Sequence, residues 1–470
     1  MKKAINLLMI LALMIGLAAI TRPAQAAAYG TQFITSVTYQ NVGTGSATIT
    51  FTFFAAGSST PITITRPDLA PLAASSLFVG DFISGSFSGS GILTSNQPII
   101  ATLVQVPQGG VVKSRPLSNG WTGGNASVRI PTVLKGLANT NSIVYIQNVD
   151  SVGADLTVQF IPTSGTTITD TITNLPSGSA KVYDMGAISS IAGTPVPTFN
   201  GSLVVTSKKT GTTTNGLVVA TSLEASTLNN YSAYAFDGFM SSGTKVYMPS
   251  AFCNFTNSAV SGATTFYAVQ NVSDTTANVT VTYSNGNSHP AVDILPGKKA
   301  SFDSCAVNTA GFLGAATITA TGGQVVAIGK VVSATLFTAY EGVVTGSYKV
   351  SVPYVRYTTS NWLNGTRQRT NIAIQNVGGA SIDAGALSVK FYDAAGTLRG
   401  TIINPSAIAI GGKWSVNASS IDPEFGYGSP TGGAAIVEGP GGSALAVIAR
   451  VETYISPTTV GEDYNGIPIP

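Results

Sequence analysis

The sequence predicts an all-β chain: a tandem array of four antiparallel β-sandwich domains behind an amino-terminal signal peptide. Three observations predict it. An apolar run ending in Gln-Asn-Val occurs four times, with its amide at Asn41, Asn148, Asn271 and Asn376, at spacings of 107, 123 and 105 residues. After each copy, apolar positions alternate strictly with polar, mostly Thr-rich ones, the period of a strand with one face in a core and one in water. Helical periodicity is absent beyond the first 26 residues. A repeat of this length can bury a small core of its own, so it reads as a domain rather than a short solenoid unit.

Residues 1–26 carry the signal. Lys2 and Lys3 begin it, an apolar run from Leu7 to Ile20 follows, and Ala24-Gln25-Ala26 supplies a small-x-small cleavage site. No later apolar run is long enough to cross a bilayer as a helix. The whole chain has 23 basic and 20 acidic residues, and Lys2, Lys3 and Arg22 all fall in the signal. The exported chain is therefore expected to be neutral. Charged residues make up only 9%, against roughly 25% in an average globular protein. That excludes the basic footprint of a nucleic-acid binder. A neutral, weakly charged surface favours association.

Each repeat then reads as a series of short strands. The alternating strand is Ile49-Phe51-Phe53 in the first copy, Leu156-Val158-Phe160 in the second, Val279-Val281-Tyr283 in the third and Leu387-Val389-Phe391 in the fourth. A turn near Leu69, Leu175, Leu295 or Ile410 leads to a strand ending in an acid or amide: Asp81, Asp184, Asp303 and Asn417. A Gly-rich loop and two more strands complete six. A seventh lies at each junction and contains Pro: Val128-Arg129-Ile130-Pro131, Val246-Tyr247-Met248-Pro249 and Val350-Ser351-Val352-Pro353. Pro cannot donate to a ladder, so this strand belongs at an edge or a break. Seven short antiparallel strands in about 110 residues fit an immunoglobulin-like sandwich. The expected domains are 27–124, 125–243, 244–346 and 347–470. The first begins almost at its repeat strand, and the C-terminal Gly466-Ile467-Pro468-Ile469-Pro470 looks like the start of another junction strand. Which neighbour owns each junction strand stays open. If it is the following one, the first domain lacks a strand, and a bare sheet edge invites another chain.

The repeat amides Asn41, Asn148, Asn271 and Asn376 share the parity of the core residues before them. They are expected to face inward and lock the next turn; an intramolecular Lys–Asn isopeptide bond is the functional alternative, and no Lys recurs at a fixed place. The Asp81, Asp184, Asp303, Asn417 series fits an Asx turn or cap, because an amide replaces the acid once. No Asp-rich loop offers calcium its cluster of oxygens. The single histidine, His289, is expected in a solvated loop, and neither a triad nor a zinc site can be built around it. No cofactor, metal or catalytic residue is therefore expected. Cys253 and Cys305 both fall in the third repeat. Export makes a disulfide between them plausible, closing a loop of about 50 residues for roughly 3–4 kcal/mol. Trp121 and Trp362 lie in loops beside junction strands and are candidates for stacking on a sugar or a partner.

The repeat, its Gln-Asn-Val strand and its Pro-bearing junction resemble bacterial secreted proteins built of tandem immunoglobulin-like sandwiches, of surface-layer, sheath, filament or adhesin-stalk type. The resemblance spans essentially the whole exported chain. It departs from wall-anchored adhesins in showing no sorting tail, and from chaperone-assembled pilins in having four domains. It implies a structural protein of the cell exterior whose partner is itself, assembling into a filament, sheath or layer by strand addition. The alternative is an adhesin or carbohydrate-binding module that uses loop aromatics. A secreted glycosidase would need two facing carboxylates, which the repeats supply only at structural positions.

Overall fold

Alternation becomes burial along the second strand of each unit. Ala47, Ile49, Phe51 and Phe53 are buried while the residues between them are not, and Leu156, Val158 and Phe160 repeat the pattern. The computed structural model describes residues 32–470 apart from 109–111, 227–232, 258–259, 335, 361, 363–366, 429–431 and 456–457. The expected signal, residues 1–26, lies outside the described residues.

All ladders are antiparallel, and the main sheets fall into four pairs. In the first unit β1 (Gln32–Asn41), β4 (Ala74–Phe78), β6 (Ile99–Gln108) and β7 (Leu117–Asn119) are ordered β4-β1-β6-β7. Facing them, β2 (Ala47–Ala55), β3 (Pro61–Leu69) and β5 (Gly89–Ser95) are ordered β3-β2-β5. The second unit has β8 (Ser127–Leu137), β10 (Ala154–Pro162), β11 (Ile168–Leu175) and β15 (Phe199–Lys209) in the order β11-β10-β15-β8. Its other sheet, β12 (Ala180–Asp184), β9 (Thr140–Asn148), β16 (Val218–Ser226) and β17 (Ala233–Asp237), is joined to the first where β8 turns into β9. A small hairpin, β13 (Ser190–Ile191) and β14 (Thr194–Pro195), stands apart.

The third unit repeats this plan. Its sheets are β18 (Lys245–Cys253), β23 (Phe312–Thr321), β20 (Ala277–Tyr283) and β21 (Val292–Ile294), against β22 (Lys299–Asp303), β19 (Thr264–Asn271), β24 (Val325–Val332) and β25 (Phe337–Glu341). The fourth has β29 (Leu398–Ile403), β28 (Ser388–Asp393), β31 (Gly433–Glu438), β26 (Lys349–Val352) and β34 (Ile467–Pro468). Against them lie β30 (Lys413–Val416), β27 (Gln368–Asn376), β32 (Leu445–Ile455) and β33 (Thr458–Asn465).

One feature answers a question the sequence left open, and two differ from the sequence reading. Each junction strand pairs with the unit after it: β8 with β15, β18 with β23 and β26 with β31. The register slips beside Pro131 and Pro249, where a ladder bond is lost. Second, the units hold an eighth strand, the exit strand β17, β25 or β33, which is β7 in the first unit. Tyr234, Phe236, Ala339 and Tyr340 are buried on both faces of it, so it carries no alternation to read. Third, β34 is not the start of a new junction strand. It lies beside β26 of its own unit, with Ser351 opposite Ile467. The same exit step brings Phe239 to Arg129 and Val343 to Tyr247.

The four units close on one another. Ser90 Oγ donates to Gly178 O at 2.6 Å, joining the first to the second, and Ser202 Oγ donates to Gly297 O at 2.7 Å, joining the second to the third. Gln375 Nε2 reaches Ala316 O between the third and fourth. Ser351 Oγ donates to Gln40 Oε1 at 2.7 Å, and Ala74 N to Ala394 O, returning the fourth to the first. Apolar clusters run across the same seams, with Val104 and Leu117 of the first unit in the core of the fourth.

Candidate functional site: the corner, the hub and an open edge

The repeat amide is structural in all four units. Asn41 Nδ2 donates to Gly45 O and Leu69 O at 2.8 and 2.9 Å, and its Oδ1 accepts from Gly43 N. Asn148, Asn271 and Asn376 make the same three kinds of bond. Each is buried. The amide thus ties the turn after its own strand to the end of a strand in the facing sheet, or in the fourth unit to the isolated Ile382–Ile408 bridge. The bonds leave neither amide atom for an isopeptide link. The Gln before it does what the sequence reading missed: Gln40, Gln147 and Gln375 reach into the neighbouring unit.

The acid-or-amide series holds at three places. Asp184 accepts from Gly186 N, Asp303 from Cys305 N and Asn417 from Ser419 N. Asp81 does not belong to it. It lies within the 3-10 turn Val79–Asp81, whose cap position is Phe78. His289 lies in its loop as expected, but half-buried: its Nε2 lies 3.2 Å from the Tyr283 hydroxyl and its ring packs edge-on to Phe302. Burial lowers its pKa. Cys253 and Cys305 are bridged, with Cα atoms 4.9 Å apart. The bridge pins the end of β18 to the turn after β22, in the facing sheet.

The exit strands meet at a hub that the sequence reading did not single out. Asn119 N donates to Asp237 Oδ2 at 2.8 Å, Asp237 N to Glu341 Oε1 at 2.6 Å and Glu341 N to Asn465 Oδ1 at 2.9 Å. Asn119 Nδ2 closes the circle on Asn465 O at 2.8 Å. Burial, then the charge of Glu341, pushes Asp237 well above the carboxylate range; burial pushes Glu341 up to about 7. Burial likewise raises Glu462 to about 8 and lowers Lys299 and Lys413 to about 7. The signal was present in the chain, as Asn119-Gly120, Asp237-Gly238, Glu341-Gly342 and Asn465-Gly466. Asp237 and Glu341 do face each other, but each accepts a backbone N–H of the hub, which is a structural task.

The Trp362 ring lies tilted against Tyr454 with centroids 6.2 Å apart, and Arg369 lies over it at 4.5 Å. Arg367 over Tyr427 and Arg356 over Tyr354 extend the cluster. Trp121 is elsewhere, just past β7 at the exit of the first unit, half-buried. The two tryptophans are not brought together.

The first unit holds the feature that the others lack. Strands β15, β23 and β31 have a neighbour on both sides, whereas β5 pairs only with β2 among the described residues. Leu93 on β5 is partly exposed, while Val205, Ile318 and Val437 at its position are fully buried. Sheet edges are normally guarded by charge or Pro. β3 carries Pro61, Arg66, Pro67 and Asp68, β11 carries Asp170, β21 Asp293 and β29 Arg399. β5 reads Gly-Ser-Gly-Ile-Leu-Thr-Ser, with no charge and no Pro.

No family model matches the sequence, and no curated protein matches it. Among solved structures, a tetra-tandem repeat in the extending region of a large adhesion protein matches at 10% identity, over 95% of this chain and 97% of that one, with a TM-score of 0.10. An α-L-rhamnosidase of Streptomyces avermitilis, complexed with L-rhamnose, matches at 10% identity over 87% of this chain and 54% of that one, with a TM-score of 0.14. At such scores neither likeness carries an argument, so the functional reading stands on the chain's own geometry.

Proposed function

We propose that this chain is an exported, non-catalytic subunit of the cell exterior, part of a filament, sheath or surface layer, joined to its neighbours by strand addition at the first unit. The observation that carries the reading is the β5 edge: among the described residues it is the fifth-strand edge with no strand of its own beside it and no guard upon it. A signal-like start and a neutral exported chain support the same reading. The closed arrangement makes the chain a block rather than a stalk. Its C-terminal strand is engaged within the fourth unit, so a simple head-to-tail exchange of that strand is not the joint. The test is light scattering and electron microscopy of the exported protein over a range of concentrations. Ordered assemblies that disappear when Leu93→Lys charges the edge are expected; monodisperse monomers throughout would refute it.

The unit-four cluster favours a second reading, an adhesin or glycan binder. Three guanidinium–aromatic pairs around Trp362 supply flat apolar faces and cationic donors together. This reading expects saturable binding of an acidic glycan, lost in Trp362→Ala and unaffected by Leu93→Lys.

A further inference from the structure

We propose that the first unit takes from another polypeptide the strand that the other three units carry themselves. That strand is an extended segment of the pattern Val-x-apolar-Pro, with its Val opposite Leu93 and seated over Gly120. The inference deepens the assembly reading and rests on the expected export cleavage.

Register fixes the first half. In the complete units the Val of the junction strand stands opposite Val205, Ile318 or Val437, and the third residue opposite Leu203, Ala316 or Ala435. Those residues pair with Val158, Val281 and Val389 of the second strand, and Phe51 pairs with Leu93 in the same way. An incoming strand in the resident register therefore has its Val at Leu93 and its third residue at Gly91.

The second half comes from a glycine that has no reason of its own. The exit step runs through Gly238, Gly342 and Gly466, each donating to a carbonyl of the strand before it, as Gly120 does to Ala101 O. None of the four has a positive φ, so backbone freedom is not what they supply. In the complete units they supply room. A Cβ would come 2.5 Å from Val128 Cγ1 at Gly238, overlap Val246 Cγ1 at Gly342, and come 2.5 Å from Val350 Cγ1 at Gly466. Among the described residues the nearest atom at Gly120 is Ala101 O at 3.6 Å, and none of them places such a Val there. The next residue, Phe239, Val343 or Ile467, pairs with the x position of the strand, and Trp121 occupies that place in the first unit. The seat is thus bounded by β5 on one side and the Gly120-Trp121 step on the other.

The neighbouring unit does not block it. Gln147 bonds Gly91 O and Ser90 bonds Gly178 O. Their counterparts, Gln375 on Ala316 O and Ser202 on Gly297 O, occur where the strand is already in place. The chain itself is too short to supply the strand after cleavage at Ala26. Residues 27–31 span about 17 Å at most, and about 10 Å of that is needed to cross between sheets.

The test titrates a peptide copying residues 127–134 into the exported protein. Saturable one-to-one binding and slowed hydrogen exchange along β5 are expected. Gly120→Val fills the seat and should weaken binding about tenfold or more, while its melting without peptide matches the parent. A peptide with Val128→Lys should not bind. Binding by Gly120→Val equal to the parent, no protection of β5 at millimolar peptide, or a Leu93→Cys protein that cross-links to its own second copy would each overturn the proposal. Assemblies without peptide binding sink this inference and leave the assembly reading standing; peptide binding by a protein that never assembles does the reverse.

Discussion

The first and third units are built around the same corner and differ at one sheet edge. Asn41 and Asn271 make matching bonds, and β2 and β20 alternate alike. Among the described residues the core cluster around Asn271 holds 23 buried residues, and the one around Asn41 holds eight. The third unit has its own junction strand, β18, and a bridge that pins it; the first has neither among the described residues. A repeated motif therefore guarantees a repeated corner, but not a repeated degree of completion. Function is better sought where otherwise equivalent units part.

The largest expected effect separates strand from staple. Replacing Cys253 and Cys305 together by Ala should cost up to about 4 kcal/mol, since the bridge closes a loop of 52 residues. Hydrogen exchange resolved by unit is the measurement. If the third unit still outlasts the first, completion by β18 explains the difference; if it falls to the level of the first, the bridge does.

Next comes one substitution made twice. Gly342→Val forces a side chain into Val246 and should destabilise by about 3 kcal/mol. Gly120→Val meets open space and should change stability by less than about 0.5 kcal/mol. Equal losses would mean that the first unit is not missing what the third contains.

The comparison also shows what could be read from the chain. Strands with one wet face, such as β2 and β10, announce themselves by alternation. The disulfide pair and the inward amides were legible because spacing and parity survive in sequence. The exit strands were not, because Tyr234, Phe236 and Tyr340 are buried among units on both faces. Ring closure was hidden for a related reason: Gln40 and Gln147 look like polar strand residues until a neighbour meets them. Asp81 misled because an acid three positions late resembles a cap.

A smaller effect tests the corner itself. Asn148→Ala and Asn41→Ala each leave two carbonyls and one N–H unpaired, at about 2 kcal/mol. The cost should be alike, and the consequence should not. The second unit should stay folded at 37 °C while the first, with its smaller core, opens locally and becomes sensitive to protease. Equal resistance would show that the neighbours, rather than its own core, hold the first unit.

The smallest effect concerns the hub, where the first and fourth units contribute amides and the second and third contribute acids. Asp237 and Glu341 hold their protons longer in the folded chain than in the unfolded one. Their contribution is therefore full below about pH 4 and shrinks as pH rises, that of Glu341 levelling off above about 7. Glu462 acts with the same sign, its range reaching about 8. Lys299 and Lys413 act in the opposite sense, but their loss runs from about pH 10 down to about 7 and leaves the acidic window clear. Melting temperature should fall between pH 4.5 and 7.5. Asp237→Asn with Glu341→Gln copies the chemistry of Asn119 and Asn465 and keeps an oxygen for each backbone donor. It should flatten most of that slope and raise stability at pH 7.5. An unchanged slope would place the titrating groups at the outer seams, and would remove the acids as the difference between the two halves of the hub.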